Sequence, residues 1–167
     1  MINAPDVASD RDVLLGYLQR QRDLVLWRLD GLRDSDARSV GTRTGLTIHG
    51  IVHHLMDVER SWLRRWFAGQ QGVPVAGINK GYVVEPRAPG DTSLTDFRAA
   101  YIQESRRCDR VVADHSLDDT GANVAHTLRW ILHHLIEETA RHLGHLDLLR
   151  ELADGQTGEK PAPPSQT

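Results

Sequence analysis

From Thr127 to Glu151 the chain reads TLRWILHHLIEETARHLGHLDLLRE, with no proline and with apolar residues returning every three or four positions. That spacing puts them on one side of a helix of about seven turns and commits the segment to α structure with a buried face. With Leu135 as the zero of a projection at about 100° per residue, Leu128, Ile131, Thr139, Leu146 and Leu149 fall within about 40° of it. His142 projects to about −20°, inside this stripe, and Glu138 and His145 to about −60° and −80°, on its flank. His133 and Glu137 project toward solvent.

Three more segments carry the same period. Ser9 to Gly31 opens on a serine cap with Asp12 three residues on, and its stripe is Val13, Leu14, Tyr17, Leu18, Leu24, Val25 and Leu29. Thr47 to Ala68 repeats Ile48, Ile51, Leu55, Val58, Trp62 and Trp66. A segment opening at Thr92 or Ser93 carries Leu94, Phe97, Tyr101, Cys108, Val111 and Val112. The polar stretch RDSDARSVGTRTG reads as a turn, and no pair of strands joined by a hairpin turn is evident. The connection from Gly69 to Thr92 is long, rich in glycine and proline, and of a kind that often covers a site. Four amphipathic segments predict an all-α helix bundle. We expect one domain over residues 1–155 and a mobile tail over 156–167.

Composition excludes several functions. The 167 residues have a formal net charge of −3 and no basic stripe, so nucleic acid is not an expected partner. A single cysteine, Cys108, excludes an internal disulfide and argues against a cysteine-based zinc site. On the apolar stripe of its helix, Cys108 reads as a buried hydrophobe rather than a nucleophile. No run of apolar residues suits a membrane span and the first residues do not form a leader, so a cytoplasmic location is expected. Trp27, Trp62, Trp66 and Trp130 read as packing.

Glu138 and His142, four residues apart on the buried side of a helix, need an explanation. An unpaired buried carboxylate would take up a proton. A divalent metal resolves this by offering charge to the carboxylate and a lone-pair acceptor to the imidazole; a Glu–His hydrogen bond is the plainer alternative. Of the three histidines in the second helix, His49 and His53 project well over about 100° from the stripe, toward solvent, while His54 lies at its edge. His54, Glu138 and His142 together make a two-histidine, one-carboxylate set with an open position, which suits zinc and also nickel, iron or manganese. No H-E-x-x-H string is present. His134 with Glu137 is a weaker pair, because Glu137 faces outward.

The strings LTIHGIVHHLMDVERSWL and HTLRWILHHLIEETARHLGHLDLLRE resemble the second and fourth helices of the DinB-like, or DinB/YfiT, superfamily, in its actinobacterial mycothiol-dependent transferase branch. The resemblance covers roughly residues 9 to 155. It implies an up-down-down-up four-helix bundle with long connections and a metal held by His54, Glu138 and His142, with glutamate where many members have histidine. His145 would be an outer neighbour or a fourth ligand. It also implies a thiol S-transferase: the metal activates a low-molecular-weight thiol such as mycothiol, which attacks an electrophilic small molecule. Arg129 and Arg150 are candidates to meet an anionic thiol or substrate, or are surface residues. No general base is evident. Other readings are a non-catalytic metal- or ligand-binding bundle and an isomerase or hydrolase using metal-bound water. A homodimer is compatible with such a bundle.

Overall fold

In the computed structural model the described residues are 8–74, 78–79, 82–83 and 92–157. They form helices α1 (Asp10–Arg28), α2 (Asp34–Ser39), α3 (Ile48–Arg60), α4 (Leu94–Ala113) and α5 (Leu128–Asp154). Two short strands, β1 (Ile78–Asn79) and β2 (Tyr82–Val83), pair antiparallel. The fold is all-helical apart from this pair. Most of the Gly69–Thr92 connection, and residues 158–167 of the expected tail, lie outside the described residues. No helix among the described residues is long and apolar enough to cross a membrane.

The four long helices begin where side-chain caps satisfy free backbone N–H groups. The hydroxyl of Ser9 accepts from the Asp12 N–H at 3.2 Å, that of Thr47 from Gly50 at 3.1 Å, that of Ser93 from Asp96 at 3.1 Å and that of Thr127 from Trp130 at 3.3 Å. At the far end of α5, Gly155 takes φ 78°, a left-handed turn that glycine adopts without strain.

Two expectations about the connections are corrected. Residues Asp34–Ser39, read as part of a turn, form α2, which buries Ala37 completely. A six-residue helix is too short to show a hydrophobic period, and it holds by this contact and the Arg33–Asp36 pair at 2.7 Å. The β1–β2 pair was likewise invisible, because two residues per strand cannot display alternation.

α5 packs against α1 and α3, and α3 also packs against α4. The buried apolar side chains form two clusters. One gathers Leu24, Val25, Ile51, Leu55, Phe97, Tyr101 and Leu146; the other gathers Leu14, Leu18, Val58, Cys108, Ile131 and Leu135. Between them, each long helix contributes buried or half-buried polar residues: Arg22, Asp57 with Glu59, Glu104 with Ser105, and Glu138 with Thr139 and His142. Tyr17, expected on the α1 stripe, is 45% exposed, because it sits on the flank away from both clusters.

α3 also departs from its projection. It continues as a π-helical segment, Ser61–Phe67, whose wider turn brings Leu63 and Phe67 into the core and leaves Trp62 and Trp66 half-buried. His49 and His53, expected in solvent, face α4. His49 is 1% exposed and stacks on Phe97 with ring centroids 4.0 Å apart, and His53 stacks more loosely on the same ring at 6.3 Å. The projection located the stripe facing one neighbour, whereas α3 is covered on two sides.

Neither ring nitrogen of His49 has a hydrogen-bond partner. Burial, then the charge of Arg38, pushes its pKa down to about 4, so the folded protein keeps this ring neutral. The unfolded chain takes up a proton below about pH 6.5 and the folded chain does not until about pH 4, so stability falls as pH drops through that window. His49→Phe keeps the stack on Phe97 and removes the titration. Urea melts should show the wild type losing about 1–2 kcal/mol more than this variant between pH 7 and pH 5. Equal losses in both would place the acid sensitivity elsewhere.

Candidate metal centre

His54 projects from the middle of α3 and Glu138 and His142 from adjacent turns of α5, into the groove where these helices meet. The cap at Thr47 and the apolar run Ile48, Ile51 and Leu55 fix the rotation of α3, and Leu135, Thr139 and Leu146 fix that of α5. The His54 Nε2 and His142 Nε2 atoms each stand 3.1 Å from the same Glu138 oxygen, Oε1. One ligand atom from each residue lies within 4.8 Å of the other two. His54 is 8% exposed, and the side chains of Glu138 and His142 are each 13% exposed. These are the three residues the sequence singled out.

The donor chemistry fits a metal. Ligand atoms at about 2.1 Å around a tetrahedral ion are separated by roughly 3.4 Å, close to the two imidazole–carboxylate spacings of 3.1 Å. Two imidazoles and a carboxylate leave at least one position open, as in catalytic zinc sites. Without an ion, the same geometry lets both Nε2–H groups donate to one carboxylate oxygen.

The electrostatics favour an ionised glutamate. His142, then His54 and also Arg141 hold the Glu138 carboxyl far below the usual carboxylate range, against burial, which pushes it up. Arg141 pairs with the second carboxylate oxygen, Oε2. Oε1 is therefore turned into the groove and Oε2 outward, which limits Glu138 to one oxygen toward the centre. Sequence reading passed over Arg141, although its place three residues from Glu138 on a helix is the signal for such a pair.

The other candidates stand apart. His145 is exposed, with Nδ1 3.4 Å from Nδ1 of His142, so it touches the outer nitrogen of that ring and not the cluster itself. His53 faces away, with Nδ1 3.4 Å from a carboxylate oxygen of Asp57. His134 packs on Trp62 and Trp130, and Glu137 is exposed, so they do not form a pair. Clefts of about 490 Å³ between α1 and α4 and about 270 Å³ beside the end of α4 contain none of the three clustered residues.

A family model described as mycothiol-S-transferase matches residues 13–155. The chain belongs to the mycothiol S-transferase family, within the DinB-like group. No curated protein and no solved structure matches it. The matched span includes α3, α5 and the whole His54–Glu138–His142 cluster.

In this mycothiol S-transferase family member, the two arginines considered for anion binding have structural partners. Arg150 is buried, donating to the carboxylate of Asp154 at 3.0 Å and to the Arg28 carbonyl at 2.5 Å. Arg129 pairs with Asp10 and, at 3.1 Å, with Asp118, at the start of α5. Cys108 is fully buried, and burial followed by the negative charge of Glu59 and Glu104 pushes its thiol pKa up. It is therefore not a thiolate nucleophile.

Zinc titration of metal-free protein by calorimetry separates the cluster from its neighbours. Glu138→Ala and His142→Ala should each weaken binding at least about 100-fold, since loss of an outer partner alone costs 10- to 100-fold. His53→Ala should bind as the wild type does. Equal weakening by His53→Ala would mean that the ion sits elsewhere.

Proposed function

We propose that the protein is a divalent-metal-dependent S-transferase that joins a low-molecular-weight thiol, mycothiol, to an electrophilic small molecule, with His54, Glu138 and His142 holding the metal. The observation that carries this reading is the convergence of two imidazole nitrogens on one oxygen of a half-buried carboxylate, in a chain of the mycothiol S-transferase family.

A divalent ion such as zinc, when bound, lowers the pKa of a thiol in its open position and so supplies a thiolate near neutral pH. Glu138 contributes the negative charge that retains a cation, and Arg141 offsets part of that charge. His54 and His142 present ring nitrogens toward the centre, and His145 meets the outer nitrogen of His142. The only cysteine is sealed in the core, so the sulfur has to come from a cosubstrate. The new C–S bond forms as the leaving group departs with its electron pair, and the thiol proton passes to solvent.

The bundle we infer is the up-down-down-up type, in one domain over residues 1–155. Side-chain contacts between helix ends support it. Arg11 at the start of α1 donates to the Val112 and His115 carbonyls at the end of α4, and Arg98 at the start of α4 donates to the Leu26 carbonyl at the end of α1. Arg28 and Asp147 join the ends of α1 and α5, while Trp62 near the end of the extended α3 meets Trp130 near the start of α5.

The same ligand set also suits a hydrolase or isomerase using metal-bound water. The deciding experiment measures metal content of the wild type and Glu138→Ala, with turnover of a haloalkane probe followed with and without thiol. About one ion per chain, lost in the variant, and turnover only with thiol are expected. Metal with thiol-independent turnover would favour the water-using reading. No metal after reconstitution would leave Glu138 as the centre of a hydrogen-bonded trio.

A further inference from the structure

The contact of α5 with α3 and its π-helical extension continues beyond Glu138. Toward the start of α5, His134, Trp130 and His126 follow at intervals of four residues. Both imidazoles lie against Trp130: His126 with ring centroids 4.0 Å apart and planes at 25°, His134 at 5.3 Å and 16°. Trp62, from the π-helical end of α3, closes this column from across the groove. Its ring is 5.0 Å from His134, 5.4 Å from Trp130 and 5.8 Å from His126. The elements that bring His54 to Glu138 therefore also bring Trp62 to His134.

Two features distinguish the column from core packing. Trp130 is 44% exposed, so its edge lies open to solvent. No hydrogen bond or ion pair among the described residues engages the ring nitrogens of half-buried His126 and His134. The column begins one helical turn, about 6 Å, from Glu138. An open indole edge beside unpaired imidazole nitrogens suits a flat, conjugated group with polar substituents. A thiol carrying many hydroxyls calls instead for more hydrogen-bond partners than these two imidazoles offer.

We propose that Trp62, Trp130 and His134 form the electrophile subsite and select a planar, conjugated electrophile, holding its reacting carbon toward the thiol at the metal centre. This rests on the transferase reading above. With 1-chloro-2,4-dinitrobenzene as probe, sulfur bonds to the ring carbon, the C–Cl bond breaks, chloride leaves with the electron pair and the thiol proton goes to solvent.

Two measurements test the wall, the first needing neither metal nor turnover. Metal-free protein is dialysed to equilibrium against 2,4-dinitrotoluene, a flat analogue without a leaving group. Trp130→Ala, at an exposed position, and His134→Ala should each weaken binding at least fivefold while far-ultraviolet circular dichroism is unchanged. In the second, holoenzyme with thiol turns over 1-chloro-2,4-dinitrobenzene or the non-aromatic iodoacetamide. Trp130→Ala should lower kcat/KM for the aryl chloride at least fivefold and leave unchanged KM for the thiol, turnover of iodoacetamide and metal content. Unchanged dinitrotoluene binding in both variants would overturn the proposal, as would equal loss with both electrophiles or a rise in KM for the thiol alone. Dinitrotoluene binding that falls in the variants, in a protein with no thiol-dependent turnover, would retain the wall as a planar-ligand site and remove the transferase reading.

Discussion

A carboxylate placed in the groove between two packed helices must find charge or donors there, and Glu138 finds them in His54 and His142. Both imidazoles converge on one oxygen, and Arg141 takes the other. This arrangement ties the middle of α3 to the middle of α5. It belongs to a polar layer that crosses the molecule, with buried Arg22 paired to Glu59 and, at 2.8 Å, to Asp109 on the side of α1 and α4. Breaking a buried pair leaves an uncompensated charge and is strongly destabilising, so Arg22 and Glu59 constrain how α1 and α3 can sit. The layer has two halves with different roles. The Arg22–Glu59 half is saturated by its own ion pairs, whereas the half at Glu138 offers three ligand atoms to one small volume.

Arginine, which outnumbers lysine throughout the chain, suits the saturated half and the helix ends. Its planar fork reaches several acceptors at once. Arg150 engages Asp154 and the Arg28 carbonyl, and Arg28 in turn engages Asp147 at 2.5 Å, which clamps the ends of α1 and α5 together. Arg11 does the same for the start of α1 and the end of α4. These contacts explain why Arg150 is unavailable to an anionic substrate: the fold already uses it.

How far the sequence disclosed this structure depended on how many neighbours each helix has. On α4, one face carries the period, and Leu94, Phe97, Tyr101, Cys108, Val111 and Val112 are all buried as their spacing predicts. On α5 the projection placed Leu135, Leu146, Glu138 and His142 correctly and turned His133 and Glu137 outward. α3 lies between α4 and α5, and a single stripe cannot describe a helix covered on two sides. His54 was found because it flanks the stripe toward α5; His49 and His53 were misjudged because they face α4. The π-helical segment added a second error. A change of register after Arg60 exchanges Leu63 and Phe67 for Trp62 and Trp66, and nothing in the spacing announces where a helix will widen.

That change of register is what gives the groove its second half. Had α3 continued with its ordinary turn, the period would have directed Trp62 and Trp66 into the core. Shifted outward, Trp62 meets α5 in the groove that holds the cluster. On α5 the complementary effect comes from the interval of four, which advances about 400° and so drifts about 40° per step. His142, Glu138, His134 and Trp130 therefore wind steadily from the buried stripe to the outer face, and His126, just before the helix, stacks on Trp130. The inner end of this row has its polar atoms sequestered beside His54. The outer end exposes an indole edge at Trp130. A single helical row, drifting at its natural rate past a widened partner helix, thus runs from the half-buried cluster at Glu138 to an exposed aromatic surface at Trp130.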